Sequence, residues 1–166
     1  VLHHRAHVHA PRLVRHVVEI AVVAGVIEIE RRRDHAVADR LHCHHRLDPA
    51  RRAEQVADLS LLSDVRALAD RLLASERRIH VLVNNAGVLE QGAFARISAA
   101  RHQELIDLNI SGLTAMLGAF LPPMLARGNG RILSVASIAA FQPVPGLAAY
   151  AATKAYVLSL TESLAE

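Results

Sequence analysis

The sequence is poor in several residue types, and each scarcity narrows what the chain can be. Cysteine occurs once, as Cys43, so no disulfide can form within the chain and a reducing compartment is expected. Tryptophan is absent and aromatic residues make up only 3% of the chain, which predicts an aliphatic core. No stretch approaches the roughly 20 uncharged apolar residues of a membrane helix. No secretion signal is found either, so we expect a cytoplasmic protein without a membrane partner.

Length and composition favour one domain with a sizeable core, since 166 residues with 52% hydrophobic side chains can bury one. The formal charge of +3 is distributed unevenly. Residues 1–53 hold ten Arg against six acidic residues, whereas residues 54–166 are nearly balanced. This excess is interpreted as an aid to solubility, and no nucleic-acid partner is expected.

Tyr150 and Lys154 form the pattern around which the rest of the sequence is interpreted. They are four residues apart, so on a helix they share one face, one turn apart. A free tyrosine has a pKa near ~10 and is a poor base at neutral pH, but a nearby ammonium favours the tyrosinate. Ser137, upstream, has a hydroxyl that can hydrogen-bond the same carbonyl oxygen that such a tyrosine would serve. Alone, this spacing is more typical of two residues at the rim of an amphipathic helix.

Other motifs elsewhere in the sequence make the Tyr150–Lys154 pattern specific. Asn84-Asn85-Ala86-Gly87 follows a short apolar run, and Asn109 lies within a long helical pattern. In this order and at these spacings the chain resembles the short-chain dehydrogenase/reductase family from about Val56 to the C-terminus. The amino-acid sequence around Tyr150 is most similar to the ketoacyl-reductase-like branch of this family. The resemblance implies a Rossmann-like α/β fold with a doubly wound parallel sheet, here incomplete.

The family resemblance also implies a role for each matched residue. Tyr150 is then the general acid/base of hydride transfer between a nicotinamide cofactor and an alcohol/carbonyl pair, and Ser137 orients the substrate oxygen. Lys154 makes the tyrosine a better base and holds the nicotinamide ribose, while Asn109 holds a water of a proton relay. The residues implied to line the cofactor are Asp58, which meets the adenine ring, Asn84, Ala86 and Gly87 on the adenosine side, and Tyr150 and Lys154 at the nicotinamide end.

NADP and NAD both remain open as cofactor, with a weak preference for NADP from the branch. The partners expected are a small carbonyl or alcohol substrate and a second copy of the chain, because the family uses its long helix at subunit interfaces. The alternative is a catalytically inactive chain that acts only as a folding or dimerisation module. A third possibility adds a His-rich segment with adventitious metal affinity.

Residues 1–53 depart from the family pattern and are treated as a separate segment from the domain-like residues 54–166. The family opens with a strand and a glycine-rich turn that cradles the pyrophosphate at a helix N-terminus. Gly25 is the only glycine before Gly87, so that turn is missing. The β-branched residues 17–29 could form one or two strands.

Three interpretations of this segment stay open. The first is a shifted reading frame at the start of a GC-rich coding sequence. The second is a divergent or disordered segment. The third is a metal site at His42, Cys43, His44 and His45, whose spacing fits no zinc module, so no designed metal site is predicted.

Periodicity predicts the elements of the remaining chain. A helix is expected over residues 63–75, with its apolar stripe at Val65, Leu68, Leu72 and Leu73. Buried strands are expected at 79–83 and 131–136, with a loop over 138–148. A long helix is predicted from a cap at Ser98 to about residue 127, bent or interrupted by Pro122 and Pro123. The family continues beyond the helix that carries Tyr150, so the sequence is expected to be truncated at its C-terminus.

Overall fold

A computed structural model describes residues 17–23, 26–31, 52–74 and 78–165. The strands of the described part form one sheet, in the order β3–β1–β2–β4–β5. In chain order they are β1 (Val17–Val23), β2 (Val26–Arg31), β3 (Arg52–Asp58), β4 (Val81–Asn84) and β5 (Arg131–Ser134). The helices are α1 (Leu62–Ala74), α2 (Ala99–Ile106), α3 (Leu113–Ala126) and α4 (Ala148–Ser163), and a π-helical segment, Asp107–Gly112, joins α2 to α3.

Two of the four strand pairings are parallel, as predicted, and two are antiparallel. β2 pairs with β4 in parallel and β4 with β5, so that Asn84 lies opposite Ser134. β1 is the exception, because it runs antiparallel to both β2 and β3. Only two residues separate β1 from β2, and so short a connection permits only antiparallel pairing. The β-branched run therefore forms two strands, one of which opposes the direction of the other four.

α1 packs on the sheet through a stripe that the sequence predicted almost completely. Val65, Leu68 and Leu72 are buried, as is Ala69. The prediction that Leu73, the fourth member of the stripe, is buried is wrong, because this side chain is 45% exposed. Successive residues on a helix point about 100° apart, so Leu72 occupies the core-facing position and Leu73 turns toward solvent.

The long helix begins as predicted at Ser98, whose hydroxyl oxygen accepts a hydrogen bond from the Arg101 backbone N–H at 3.3 Å. Pro122 and Pro123 do not interrupt the helix, since α3 continues through both to Ala126. The helix ends in a Schellman arrangement, with Gly128 at φ +61° and the Asn129 N–H bonded to the Met124 carbonyl. Glycine follows this helix because residue 128 has a positive φ, a conformation that glycine adopts without steric cost.

The helical stretch Ala99–Ala126 corrects the expectation that no segment has the dimensions of a membrane helix. By length and composition alone it is long and apolar enough to cross a membrane. Its buried side chains are those of a core helix, since Leu108, Met116 and Phe120 are almost fully enclosed by the rest of the domain. An apolar face packed in this way is what a central helix of an α/β domain requires.

The core of the described residues is aliphatic, as the composition predicted. Phe120 is the one aromatic side chain among its fully buried members. The cluster is formed by side chains from one face of the sheet, from α1 and from the long helix; among its largest members are Leu68, Leu82, Leu105, Leu108, Met116, Val65 and Val157. α4 joins this core through Val157, which fixes the helix that carries Tyr150 and Lys154.

Candidate active site

Tyr150 and Lys154 lie one turn apart at the start of α4, as the sequence predicted. Tyr150 is half-buried, whereas Lys154 is 6% exposed. The Lys154 ammonium nitrogen lies 6.0 Å from the centre of the Tyr150 ring. The two side chains therefore share one face of the helix, with the ammonium in the deeper position.

Lys154 is anchored by the sheet edge. Its Nζ donates a hydrogen bond of 2.8 Å to the backbone carbonyl of Val135, just beyond the end of β5. Burial in this position lowers the pKa of Lys154, because a desolvated ammonium loses hydration that one carbonyl does not fully replace. An ammonium has three donors, and one is used here among the described residues.

Ser137 lies two residues beyond Val135, in extended backbone, and caps the 3₁₀ turn Ile138–Ala140. Its Oγ accepts a hydrogen bond from the Ala139 N–H at 3.2 Å. The proton of the hydroxyl is donated to none of the described residues, so it is available to an oxygen placed beside it. The turn that Ser137 caps packs against α4, and this contact brings Ser137 to the helix that carries Tyr150.

Asn109 is held in the interior by three hydrogen bonds. It is 2% exposed and lies in the π-helical segment. Its Oδ1 accepts from the Val88 N–H at 2.8 Å, and its Nδ2 donates to the Val88 carbonyl at 2.9 Å and to Thr153 Oγ1 at 3.1 Å. The amide thus ties the loop after β4 to both the long helix and α4. Single-turn π segments inside α-helices are often found at functional sites.

Asn84 closes β4 next to this network. Its Nδ2 approaches the Ser134 hydroxyl at 3.5 Å, and its backbone carbonyl accepts from the Val135 N–H. Its side-chain Oδ1 is buried and has no partner among the described residues. A buried acceptor without a partner is unusual in a stable fold and marks a place where a ligand can supply the missing donor.

Gly87 provides the space between these groups. A Cβ on Gly87 would lie 3.3 Å from Asn109 Oδ1, which is tighter than most real Cβ contacts, and 3.4 Å from Lys154 Nζ. Glycine therefore lets the backbone after β4 run directly alongside the amide and the ammonium. Ala86, the neighbouring residue, is half-buried and packs against the core.

Asp58 ends β3 and is buried, but its carboxylate is engaged in local structure. Its Oδ1 accepts from the Ser60 N–H at 3.0 Å and from the Ser60 hydroxyl at 2.6 Å. This is an Asx turn that leads the chain from β3 into α1. The second carboxylate oxygen accepts no hydrogen bond among the described residues, so a capping role and a ligand-binding role can coexist.

The sequence missed two parts of this arrangement. Thr153 is 2% exposed and bridges Asn109 to α4, and the Val135 carbonyl anchors Lys154. A threonine within a helical pattern carries no sequence feature that marks it as buried, and a backbone carbonyl carries none at all. The His42–Cys43–His44–His45 run lies outside the described residues. Within the described part, no group of three or more His, Cys, Asp or Glu side chains could hold a metal ion.

The described residues suit the nicotinamide-ribose end of a dinucleotide cofactor. Lys154 has ammonium protons to spare for a ribose hydroxyl, since one of its three donors is used among the described residues. The pyrophosphate end is different, because the sequence has no glycine-rich turn in residues 1–53. The segments in which that turn would be sought, residues 24–25 and 32–51, lie outside the described residues.

Comparison with known proteins adds independent observations. A family model described as short chain dehydrogenase matches residues 16–166, so the match extends into the segment that the sequence set apart. The oxidoreductase UcpA of Escherichia coli (strain K12) is 42% identical over 111 residues, which cover 66% of this chain and 42% of that protein. The chain therefore spans less than half of this relative's length.

Solved structures give the same picture. A metagenomic short-chain oxidoreductase in complex with NADP superimposes with a TM-score of 0.63 at 37% identity, over 66% of this chain and 50% of that one. A protein provisionally assigned as a betaketoacyl-ACP reductase gives a TM-score of 0.60 at 38% identity, over 66% and 44% of the two chains. These neighbours confirm the predicted Rossmann-like α/β fold class.

Proposed function

We propose, from the premise that this chain belongs to the short-chain dehydrogenase family, that it carries the proton-transfer site of an oxidoreductase. The reaction would interconvert an alcohol and a ketone or aldehyde, with NADP or NAD as cofactor. The observation that carries the proposal is the buried Lys154 ammonium, held on the Val135 carbonyl beneath the Tyr150 ring. A buried cation costs free energy, and a fold that keeps one next to a tyrosine at a sheet edge is typical of a working acid/base site.

In the proposed mechanism the cofactor supplies the hydride chemistry when it is bound. Tyr150 donates its phenolic proton to the substrate oxygen in reduction and accepts a proton from it in oxidation. Ser137 donates a hydrogen bond to the same oxygen and so fixes its position. Lys154 offers its remaining N–H donors to the ribose of the cofactor.

Asn109 takes a different part in this proposal from the one that the family resemblance implied. Its side-chain amide is committed to Val88 and Thr153, with both N–H donors in use. The amide therefore stabilises the shape of the site. The predicted role in holding a relay water stays a prediction, and it would have to be met by atoms other than those two donors.

The choice between NADP and NAD leans to NADP, as one of the structural neighbours is a complex with NADP. Direct titration of the chain with NADPH and with NADH, followed by nicotinamide fluorescence, tests cofactor binding. Saturable binding supports the oxidoreductase. Absence of binding by a chain that circular dichroism shows to be folded would favour the inactive alternative, in which the site residues are retained without catalysis.

The catalytic part of the proposal is tested by substituting Tyr150→Phe, with Tyr156→Phe as the matched control. Tyr156 is the other tyrosine of the chain, and its hydroxyl bonds Thr114 on α3, a residue of the long helix and not of the site. Oxidation of NADPH by a panel of small ketones and aldehydes is the assay. Tyr150→Phe should abolish turnover and leave cofactor affinity almost unchanged, whereas Tyr156→Phe should retain both. Normal turnover by Tyr150→Phe would overturn the assigned role.

A second copy of the chain is also part of the proposal. One side of the long helix offers small residues, Ser111 of the π-helical segment and Ala115 and Gly118 of α3, which let another helix approach closely. Sedimentation velocity tests this directly. A dimer is the expected species, and Gly118→Leu should dissociate it.

A further inference from the structure

Thr153 occupies the junction between the catalytic helix and the π-helical segment. It lies between Tyr150 and Lys154 in the sequence but faces the interior, with 2% of its surface exposed. Its hydroxyl donates to the Tyr150 backbone carbonyl at 2.8 Å and accepts from Asn109 Nδ2 at 3.1 Å. One small side chain therefore joins the first turn of α4 to an amide on another helix.

The hydrogen bond to Thr153 satisfies the second N–H donor of the Asn109 side-chain amide. The amide has two N–H donors, of which one bonds the Val88 carbonyl and the other bonds Thr153. Without the Thr153 hydroxyl, a buried N–H would lose its only partner among the described residues. A buried donor left without an acceptor carries its full desolvation cost, so the amide would turn or the helices would separate.

Any such movement would displace the ammonium group of Lys154. The Asn109 Oδ1 and the Lys154 Nζ both lie within 3.4 Å of the point that a Cβ on Gly87 would occupy. The amide and the ammonium thus flank the same short piece of backbone. A change in the spacing of α4 and the π-helical segment shifts the ammonium relative to Gly87 and the Val135 carbonyl.

We propose that Thr153 is a positioning residue for the proposed reaction. Its hydroxyl fixes the Asn109 amide against the first turn of α4 and thereby sets the depth of Lys154 and the direction of Tyr150. This inference rests on the proposed oxidoreductase function for its consequence in turnover. The linkage itself is a property of the folded chain and can be measured without cofactor.

Three variants test the linkage. Thr153→Val keeps the branched shape and removes the hydroxyl, while Thr153→Ser keeps the hydroxyl and removes the methyl group. Thr161→Val is the matched control, because the Thr161 hydroxyl also donates to a carbonyl of α4, that of Val157 at 2.7 Å, and forms no hydrogen bond with Asn109. The first readout is the pair of side-chain N–H resonances of Asn109 in a ¹⁵N–¹H spectrum of the full chain.

In Thr153→Val, one Asn109 N–H resonance should move upfield and exchange with solvent about tenfold faster or more, since it has lost a buried acceptor. Thr153→Ser should restore the wild-type resonance, and Thr161→Val should leave it unchanged. An unchanged resonance in Thr153→Val, or an equal change in Thr161→Val, would overturn the proposal.

Turnover gives the second readout and separates this inference from the proposed function. If the chain reduces ketones, kcat should fall about tenfold in Thr153→Val with KM nearly constant. The Thr153→Ser variant should have a kcat close to that of the wild type. An unchanged kcat in Thr153→Val would overturn the positioning role even if the resonance moves. If the wild-type chain shows no turnover, the proposed function fails for this chain, and the Asn109 resonance alone decides whether the linkage exists.

Discussion

Gly112 is a residue at which a single added methyl group should destabilise the described fold. A Cβ there would lie 2.3 Å from the Leu59 carbonyl oxygen and 3.2 Å from the Leu59 carbonyl carbon. Both are backbone atoms, so neither can rotate away. Gly112 itself has helical dihedral angles, φ −62° and ψ −49°, and alanine adopts these without strain. The contact with Leu59 alone therefore decides the outcome of Gly112→Ala.

Two opposing effects set the magnitude. Replacing glycine by alanine inside a helix normally stabilises by ~1 kcal/mol. Inserting a methyl group into a closed contact costs ~1–3 kcal/mol, and the upper end applies here because backbone must move. We expect Gly112→Ala to lower the free energy of unfolding by about 2 kcal/mol, the difference between the larger cost and the gain.

Gly118 on the same helix provides the control. A Cβ there would meet nothing within 4 Å in the same chain, so at a protein concentration at which the chain sediments as a monomer Gly118→Ala should show only the helix gain, up to ~1 kcal/mol of added stability. Equilibrium urea unfolding followed by far-ultraviolet circular dichroism measures both variants at one protein concentration. If Gly112→Ala proves as stable as Gly118→Ala, the close packing of the long helix against Leu59 is wrong.

Three further predictions concern the site and its supporting helix. Asn109→Ala removes three buried hydrogen bonds and should lower the free energy of unfolding by about 2–4 kcal/mol in the same urea assay; a loss below ~1 kcal/mol would contradict the network. Lys154→Met tests burial of the ammonium: because the pKa of Lys154 lies below its ordinary value of 10.5 in the folded chain, wild-type stability should rise relative to the variant as pH increases toward 10.5. A difference between the two that does not change with pH would contradict this burial. Ser98→Ala should cost about 1 kcal/mol through loss of the helix cap, whereas Ser163→Ala, which removes an exposed hydroxyl, should cost less than ~0.5 kcal/mol.

Local patterns predicted the elements well where burial is one-sided. α1 and β4 were predicted to within a few residues, because a helical stripe and a short apolar run directly report which side chains leave water. The stripe of α1 failed only at Leu73, where two adjacent leucines compete for one core position. The β1–β2 pair was left open by the sequence, since a β-branched run fits one long strand as well as two short strands joined by a turn.

The residues of the candidate site were predicted from spacing, but the bonds that hold them were not. Asn109 meets Val88 across 21 residues and Thr153 across 44 residues of sequence. Periodicity describes one element at a time and says nothing about which polar groups meet when elements pack. Gly112 shows the same limit, because a glycine in a helical pattern indicates a weaker helix until the approach of Leu59 is known.

The polar burials at the end of β4 favour a functional over a purely structural interpretation. A buried ammonium on a single carbonyl and a buried amide oxygen without a donor among the described residues both cost free energy of folding. Lys154 and Asn84 carry these two costs at one edge of the sheet, where parallel strands end and ligands of such folds bind. Asn109, by contrast, is fully bonded and adds rigidity around them. Incompletely bonded polar groups such as Lys154 and Asn84, next to the rigidly held Asn109, suit a ligand-binding site, because a bound ligand can supply the missing hydrogen-bond partners.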